Sequence, residues 1–164
     1  MTIRFGILTL SDRSAGGERA DTSGLALARL VQAEGWSVTK QAILPDDESA
    51  IRATLIKWVD SSEIDVILTT GGTGFSPRDV TPEATRAVID RESPGLAEAM
   101  RAASLKITPH AMLSRVVTGI RKKTLIINLP GSPKGAVENL QVVLPVLEHA
   151  VQLLQDDPAS EASH

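Results

Sequence analysis

The chain has 164 residues, is 42% hydrophobic and carries a formal net charge of -3, a length that suits one domain burying roughly 70% of the surface its unfolded chain exposes. With aromatics at 2% and no Tyr, it offers neither a basic polyanion-binding surface nor a stacking platform for single-stranded nucleic acid. The absence of Cys excludes disulfides and thiolate metal sites, and no apolar run approaches the length of a membrane span.

In chain order, residues 1–10 lack a basic leader or a cleavage-site pattern and place the protein in the cytoplasm by default; residues 3–10 read as the first strand. Residues 22–34 are helical, with Leu27, Leu30 and Val31 at helical spacing, and Gly35 stops the helix. Residues 36–44 alternate as a strand does. Residues 47–60 are helical, with Ile51, Leu55 and Val59 four apart on one face. Residues 64–70 form a third strand, apolar on both faces apart from Asp65, and such runs suit parallel strands covered on both sides. Three later helix starts, Thr81-Pro82, Ser93-Pro94 and Ser132-Pro133, each pair a capping hydroxyl with a proline in the first turn. Residues 115–123 read as a short strand or a hairpin arm feeding a buried strand at 124–129. The last helix spans about 133–155, with Leu140, Leu144, Leu147, Val151 and Leu154 on one face; Pro145 inside it predicts a bend near Gln141. Residues 156–164 are small and polar, a flexible tail. The alternation predicts a single domain over 1–155: a three-layer, doubly wound α/β fold with a mostly parallel sheet and helices on both faces.

Ligands of such sheets bind beyond the carboxyl ends of the strands. Four segments rich in Gly, Ser and Asp follow strands: Ser11-Asp12-Arg13-Ser14 with Gly16-Gly17, Pro45-Asp46-Asp47-Glu48, Gly71-Gly72-Thr73-Gly74 running on to Arg78-Asp79, and Pro130-Gly131-Ser132-Pro133-Lys134-Gly135. The opposite connections, at 35–36 and 61–63, carry no comparable cluster. Gly71 to Gly74 is either a flexible turn or a bare backbone cradle for phosphate. Three glycines in four residues directly after a buried strand favour the cradle. No Gly-Lys-Ser/Thr follows, so it is not a P-loop, and Pro77 stands where a dinucleotide fingerprint needs a small residue. Asp47 and Thr81 fit helix caps, which leaves Asp46 and Asp79 without an obvious structural duty. Two carboxylates on neighbouring strand ends suit Mg²⁺ held against a triphosphate, and equally suit surface turns. Asp12 is ordinary turn chemistry or part of the same site. Arg13, Arg78, Arg115 and Lys134 supply charge to an anion or are solvated surface. Ser114, a lone Ser, reads as a capping or hydrogen-bonding group and not a nucleophile; His110, His149 and His164 show no metal-ligand spacing.

The stretch Thr70-Gly-Gly-Thr-Gly-Phe-Ser-Pro-Arg-Asp-Val-Thr-Pro-Glu-Ala-Thr85 resembles the core motif of the molybdopterin adenylyltransferase family, the MogA/MoaB type of molybdenum cofactor biosynthesis proteins. Supporting matches are Leu8-Thr-Leu-Ser-Asp-Arg13, Leu44-Pro-Asp46, Glu92-Ser-Pro-Gly95, Met112-Leu-Ser-Arg115 and Ile127-Asn-Leu-Pro-Gly131, so the likeness runs from Arg4 to Leu154. The resemblance implies Mg-ATP-dependent adenylylation of molybdopterin with release of pyrophosphate, in a cytoplasmic homotrimer that hands its product to a molybdenum-insertion protein. It implies essential roles for Asp46 and Asp79 through Mg²⁺ and substrate phosphates. Gly71, Gly72, Thr73 and Gly74 then line the nucleotide site with Ser11, Asp12, Pro130 and Gly131, and Ser114 lies near the pterin. Alternatives are a catalytically silent pterin-binding module, a nucleotide pyrophosphatase, and the insertion step, whose proteins are far longer. Because the net charge is negative, binding two polyanions predicts a cleft mouth more basic than the rest of the surface.

Overall fold

The computed structural model describes residues 1–163. Six strands, β1 (Arg4–Leu10), β2 (Ser37–Leu44), β3 (Val66–Thr70), β4 (Arg91–Glu92), β5 (Thr118–Arg121) and β6 (Thr124–Leu129), form one sheet in the order β2-β1-β3-β6-β5-β4. The first four in that order run parallel, β5 is antiparallel to β6, and β4 is antiparallel to β5. The ambiguous segment at 115–123 is thus a hairpin arm, turning through Lys122 at φ 53° into β6.

Six helices surround the sheet: α1 (Asp12–Ala15), α2 (Thr22–Ala33), α3 (Glu48–Asp60), α4 (Thr81–Val88), α5 (Pro94–Leu105) and α6 (Pro133–Leu154). Because side chains alternate along a strand, each central strand feeds two cores. Phe5, Ile7, Val66, Leu68, Leu125 and Ile127 pack with Leu27, Met100, Leu140 and Leu147 of α2, α5 and α6. Leu8, Leu10, Ile67 and Ile126 pack on the other face with Ile51, Leu55 and Trp58 of α3 and Val88 of α4. This is the expected doubly wound arrangement. At the pole away from the strand tips, buried Asp65 accepts from Arg4 N (2.9 Å), Nε (3.1 Å) and Nη2 (2.9 Å) and from Gln155 Nε2 (3.3 Å), tying β1 to the end of α6.

The three Ser/Thr-Pro starts diverge. Ser132 caps α6, accepting from Gly135 N at 3.1 Å. Thr81 is the first residue of α4 instead, with Val80 at the cap, and its hydroxyl donates to Gly71 O at 2.9 Å. Ser93 caps no amide; its N–H donates to Thr118 O (2.9 Å) and its carbonyl accepts from the Thr118 hydroxyl, so it anchors α5 to β5. A tertiary partner claims the Thr81 hydroxyl, whereas Ser93 is held by its backbone and its hydroxyl is left buried without a partner. α6 continues past Pro145 to Leu154, and Pro158–Ser163 forms a further 3-10 helix with Ser160 buried; His164 lies outside the described residues.

Candidate functional site

β1 has β2 on one side and β3 on the other, so the chain leaves β1 in one direction and returns in the other. A crevice opens at the carboxyl ends of the strands at such a switch point. Two backbone bonds continue the ladders past the strand tips, Ser11 N to Leu44 O (2.9 Å) and Gly71 N to Leu129 O (3.2 Å). They bring the segments after β1, β2, β3 and β6 onto one rim.

Gly71 and Gly72 have φ of 103° and 66°, in the left-handed region that glycine enters without steric cost. A Cβ on Gly71 would strike the Leu10 carbonyl. One on Gly72 would strike the Thr81 hydroxyl and lie 3.1 Å from Asp46 Oδ1. The bare cradle is narrower than the motif implies. The Gly71 amide is committed to Leu129 O and the Gly74 amide to Asp79 Oδ2, whereas the Gly72 and Thr73 amides donate to no described residue.

Asp79 has a structural duty that spacing did not reveal. Its Oδ2 accepts from Gly74 N and Ser76 N, both at 3.1 Å, and so folds the loop after the glycines. Arg115 clasps that loop from the opposite side. Its Nε donates to Gly74 O (2.7 Å), Nη2 to Asp79 O (2.9 Å), and its fork grips both Glu83 oxygens at 2.8 and 3.2 Å.

Asp46 and Asp12 are joined reciprocally: Asp46 N donates to Asp12 Oδ1 (3.0 Å) and Asp12 N to Asp46 Oδ2 (3.2 Å). Arg78 Nε and Nη2 then grip both Asp12 oxygens at 3.0 Å, and this guanidinium holds the Asp12 carboxyl below its ordinary range. Asp46 Oδ1 is buried and has no partner. Desolvation pushes the Asp46 carboxyl above its ordinary range, against the pull of the Asp12 amide and helped by the charges of Asp12 and Asp79.

Two clefts flank the glycine loop. The first, about 410 Å³, is lined by Ser11, Asp46, Gly71, Gly72, Asp79 and Gly131. The second, about 300 Å³, is lined by Thr73, Gly74, Ser114 and Pro130, and Ser132 lies in both. Asp12 lines neither and sits behind Asp46. Sequence reasoning missed Asp21 and Arg19, which also line the first cleft. Asp21 caps α2 through Gly24 N (2.8 Å) and accepts from Thr9 Oγ1 (2.9 Å); its place directly before a periodic run was the available signal. Thr70 Oγ1 donates to Pro130 O at 2.7 Å and Ser23 to Gly131 O, fixing the fourth segment.

The first cleft lacks the expected basic mouth. Arg78 is paired with Asp12, Arg115 with Glu83 and Lys134 with Glu138; the first cleft sets Arg19 against Asp21, Asp46 and Asp79. Of the four cations predicted to face an anion, all but Arg13 are thus paired with carboxylates. No group of three or more His, Asp or Glu among the described residues can hold a metal ion alone. A pair of carboxylates, one with a buried unpartnered oxygen, instead fits a divalent cation that takes its remaining ligands from phosphate and water.

Residues 6–149 match the family model described as "probable molybdopterin binding domain". The chain is 43% identical over 155 residues to a molybdopterin adenylyltransferase of Helicobacter pylori, covering 93% of this chain and 88% of that one. It is 47% identical over 158 residues to the molybdenum cofactor synthesis protein cinnamon of Drosophila melanogaster, covering 95% of this chain but only 26% of that protein's length. The crystal structure of the molybdopterin biosynthesis enzyme MoaB of Thermus thermophilus superposes with a TM-score of 0.90 at 52% identity, covering 96% of this chain and 99% of that one.

Proposed function

The chain belongs to the molybdopterin-binding domain family of molybdenum cofactor biosynthesis, and from that membership we propose that it is a molybdopterin adenylyltransferase, joining AMP from Mg-ATP to the terminal phosphate of molybdopterin and releasing pyrophosphate. The observation that carries this reading is the pair of clefts on either side of one glycine loop, the polar one holding Asp46 with its bare, buried Oδ1. The polar cleft takes the triphosphate, and the second cleft, walled by Ile107, Ala111, Leu113 and Pro130, takes the pterin.

In the reaction a phosphate oxygen of the pterin attacks the α-phosphorus, a new P–O bond forms, and the bond to the β-phosphate oxygen breaks as pyrophosphate leaves. No protein nucleophile is required, so the work of the chain is to bring two polyanions together in line. The uncommitted amides of Gly72 and Thr73 donate to phosphate oxygens. Asp46 and Asp79 would hold the Mg²⁺ that accompanies ATP, and the ion would supply neutralisation of charge on the phosphates. Asp12 and Arg78 fix Asp46, and Arg115 and Glu83 fix the loop that carries Asp79. Ser114 hydrogen-bonds the pterin side. A homotrimer, a cytoplasmic location and hand-over to a molybdenum-insertion protein belong to the same proposal. No helix among the described residues is long and apolar enough to cross a membrane.

The test is pyrophosphate release from Mg-ATP with and without molybdopterin. Release only when both are present is the expected result. Pterin binding without release would instead support a silent binding module, and hydrolysis of ADP-ribose without pterin a pyrophosphatase.

A further inference from the structure

Arg101 lies on α5 and lines the second cleft beside Ser104, Thr108 and Asn139. Its guanidinium lacks the carboxylate partner that three other arginines have. Arg4, Arg78 and Arg115 each grip a carboxylate in a fork. No carboxylate among the described residues pairs with Arg101; Glu138, in the same cleft, is drawn to Lys134 at 3.8 Å. Arg101 Nη2 reaches only Val116 O, at 3.5 Å, the outer limit of a hydrogen bond. Its Nη1 is buried with no partner. A charged donor stripped of water and left unmade opposes folding, and such a group at the wall of a cleft is explained when a ligand completes it.

Asn139 complements it. This buried side chain spends Nδ2 on Ser104 Oγ (3.1 Å) and Gly135 O (2.9 Å). That fixes the amide and leaves Oδ1 as an uncommitted acceptor. A donor fork and an amide acceptor between apolar walls suit one edge of a flat heterocycle that carries both a carbonyl oxygen and N–H groups. They do not suit a phosphate, which a single cation facing Glu138 would hold poorly.

We infer that Arg101 is a specificity-determining residue that donates to the carbonyl oxygen of the pterin's pyrimidinone ring, with Asn139 Oδ1 accepting from its N–H edge. This rests on the placement of the pterin in the second cleft. Nothing in the transfer itself involves Arg101, so its contribution lies in binding the pterin.

The experiment compares wild type, Arg101→Met and Arg101→Lys in steady-state pyrophosphate release, with thermal melts of each. In Arg101→Met the KM for molybdopterin rises ~10- to 100-fold, the range for losing a hydrogen bond to a charged group. The KM for ATP and the kcat at saturating pterin stay within about twofold. Tm is unchanged or higher, because an unpaired charge has been removed. Arg101→Lys recovers part of the pterin affinity, keeping the charge but not the fork. An unchanged pterin KM in both variants overturns the inference, as does a fall in Tm with equal losses for both substrates, which marks a structural arginine. If wild type binds pterin and the variants match it, this inference falls alone; if wild type binds no pterin, the functional reading falls with it.

Discussion

Asp46 gives one oxygen to the Asp12 amide and leaves the other buried without a donor. Desolvation, reinforced by the charges of Asp12 and Asp79, raises its carboxyl above the ordinary value, so the folded chain favours the protonated form. A raised folded value contributes stability that is fully present below the unfolded carboxylate range and is lost as pH rises through the folded value. Above the ordinary carboxylate range Asp46 therefore opposes folding. Asp46→Asn should raise Tm at neutral pH, with the gain shrinking as pH falls into the ordinary carboxylate range, while pyrophosphate release is lost. Melts at two pH values and one turnover assay check this; a lower Tm at neutral pH would make Asp46 a structural turn residue. Gly72→Ala forces a side chain into a left-handed backbone and against the buried Thr81 hydroxyl. The backbone strain alone costs about 1–2 kcal/mol, readable in urea unfolding, and ATP affinity should fall with it. Elimination singled out Asp46 and Asp79 because Asp47 and Thr81 fitted caps. Asp47 does cap, through Ala50 N at 3.1 Å, but Thr81 does not, and Asp79 holds two loop amides. The loop at 73–79 has no period, so no pattern in the sequence showed which amides its carboxylate would meet.

The element that sets the site is the loop from Gly71 to Asp79, folded from within by Asp79 and clasped from outside by Arg115. Arg115 links two carbonyls of the loop to Glu83 in the first turn of α4, while its own amide donates to Thr73 O at 2.9 Å. Arg115→Ala removes those side-chain donors and should destabilise the fold by ~1–3 kcal/mol, the range for hydrogen bonds to a charged group. It should also lower kcat/KM by loosening Asp79. Arg115→Lys should restore little, since an ammonium cannot reproduce the planar fork. Denaturant unfolding together with kinetics separates the two effects. Strand β2 and helices α2, α3 and α6 were legible because burial of one face imposes a period, and β1, β3 and β6 because burial of both faces makes them short apolar runs. The failures sit where partners come from elsewhere in the chain. Thr81 and Ser93 anchor to Gly71 and Thr118 instead of capping. β5 is settled only by its pairing with β6, and the two residues of β4 are too short to carry any period.

On the scale of the whole molecule the relevant quantity is charge. The net value of -3 led to the expectation of a basic cleft mouth, but a sum over the sequence does not say which cations are already neutralised. Of the four basic residues considered there, Arg78 and Arg115 meet carboxylates on neighbouring elements and Lys134 meets Glu138 on its own helix. What remains in the first cleft is Arg19 against Asp21, Asp46 and Asp79. Net charge and the charged side chains of the first cleft both disfavour a bare triphosphate, so the proposed function has the positive charge arrive with it as a divalent cation. ATP titrated calorimetrically in EDTA should bind at least about tenfold more weakly than in Mg²⁺, a difference of about 1.4 kcal/mol. Raising salt in EDTA should leave that residual affinity unchanged or improve it, because screening weakens repulsion between like charges. The opposite pattern, full affinity in EDTA that declines steeply with salt, would mean that Arg19 and the unpaired amides hold the triphosphate without a metal. Asp46 and Asp79 would then have no part in binding it.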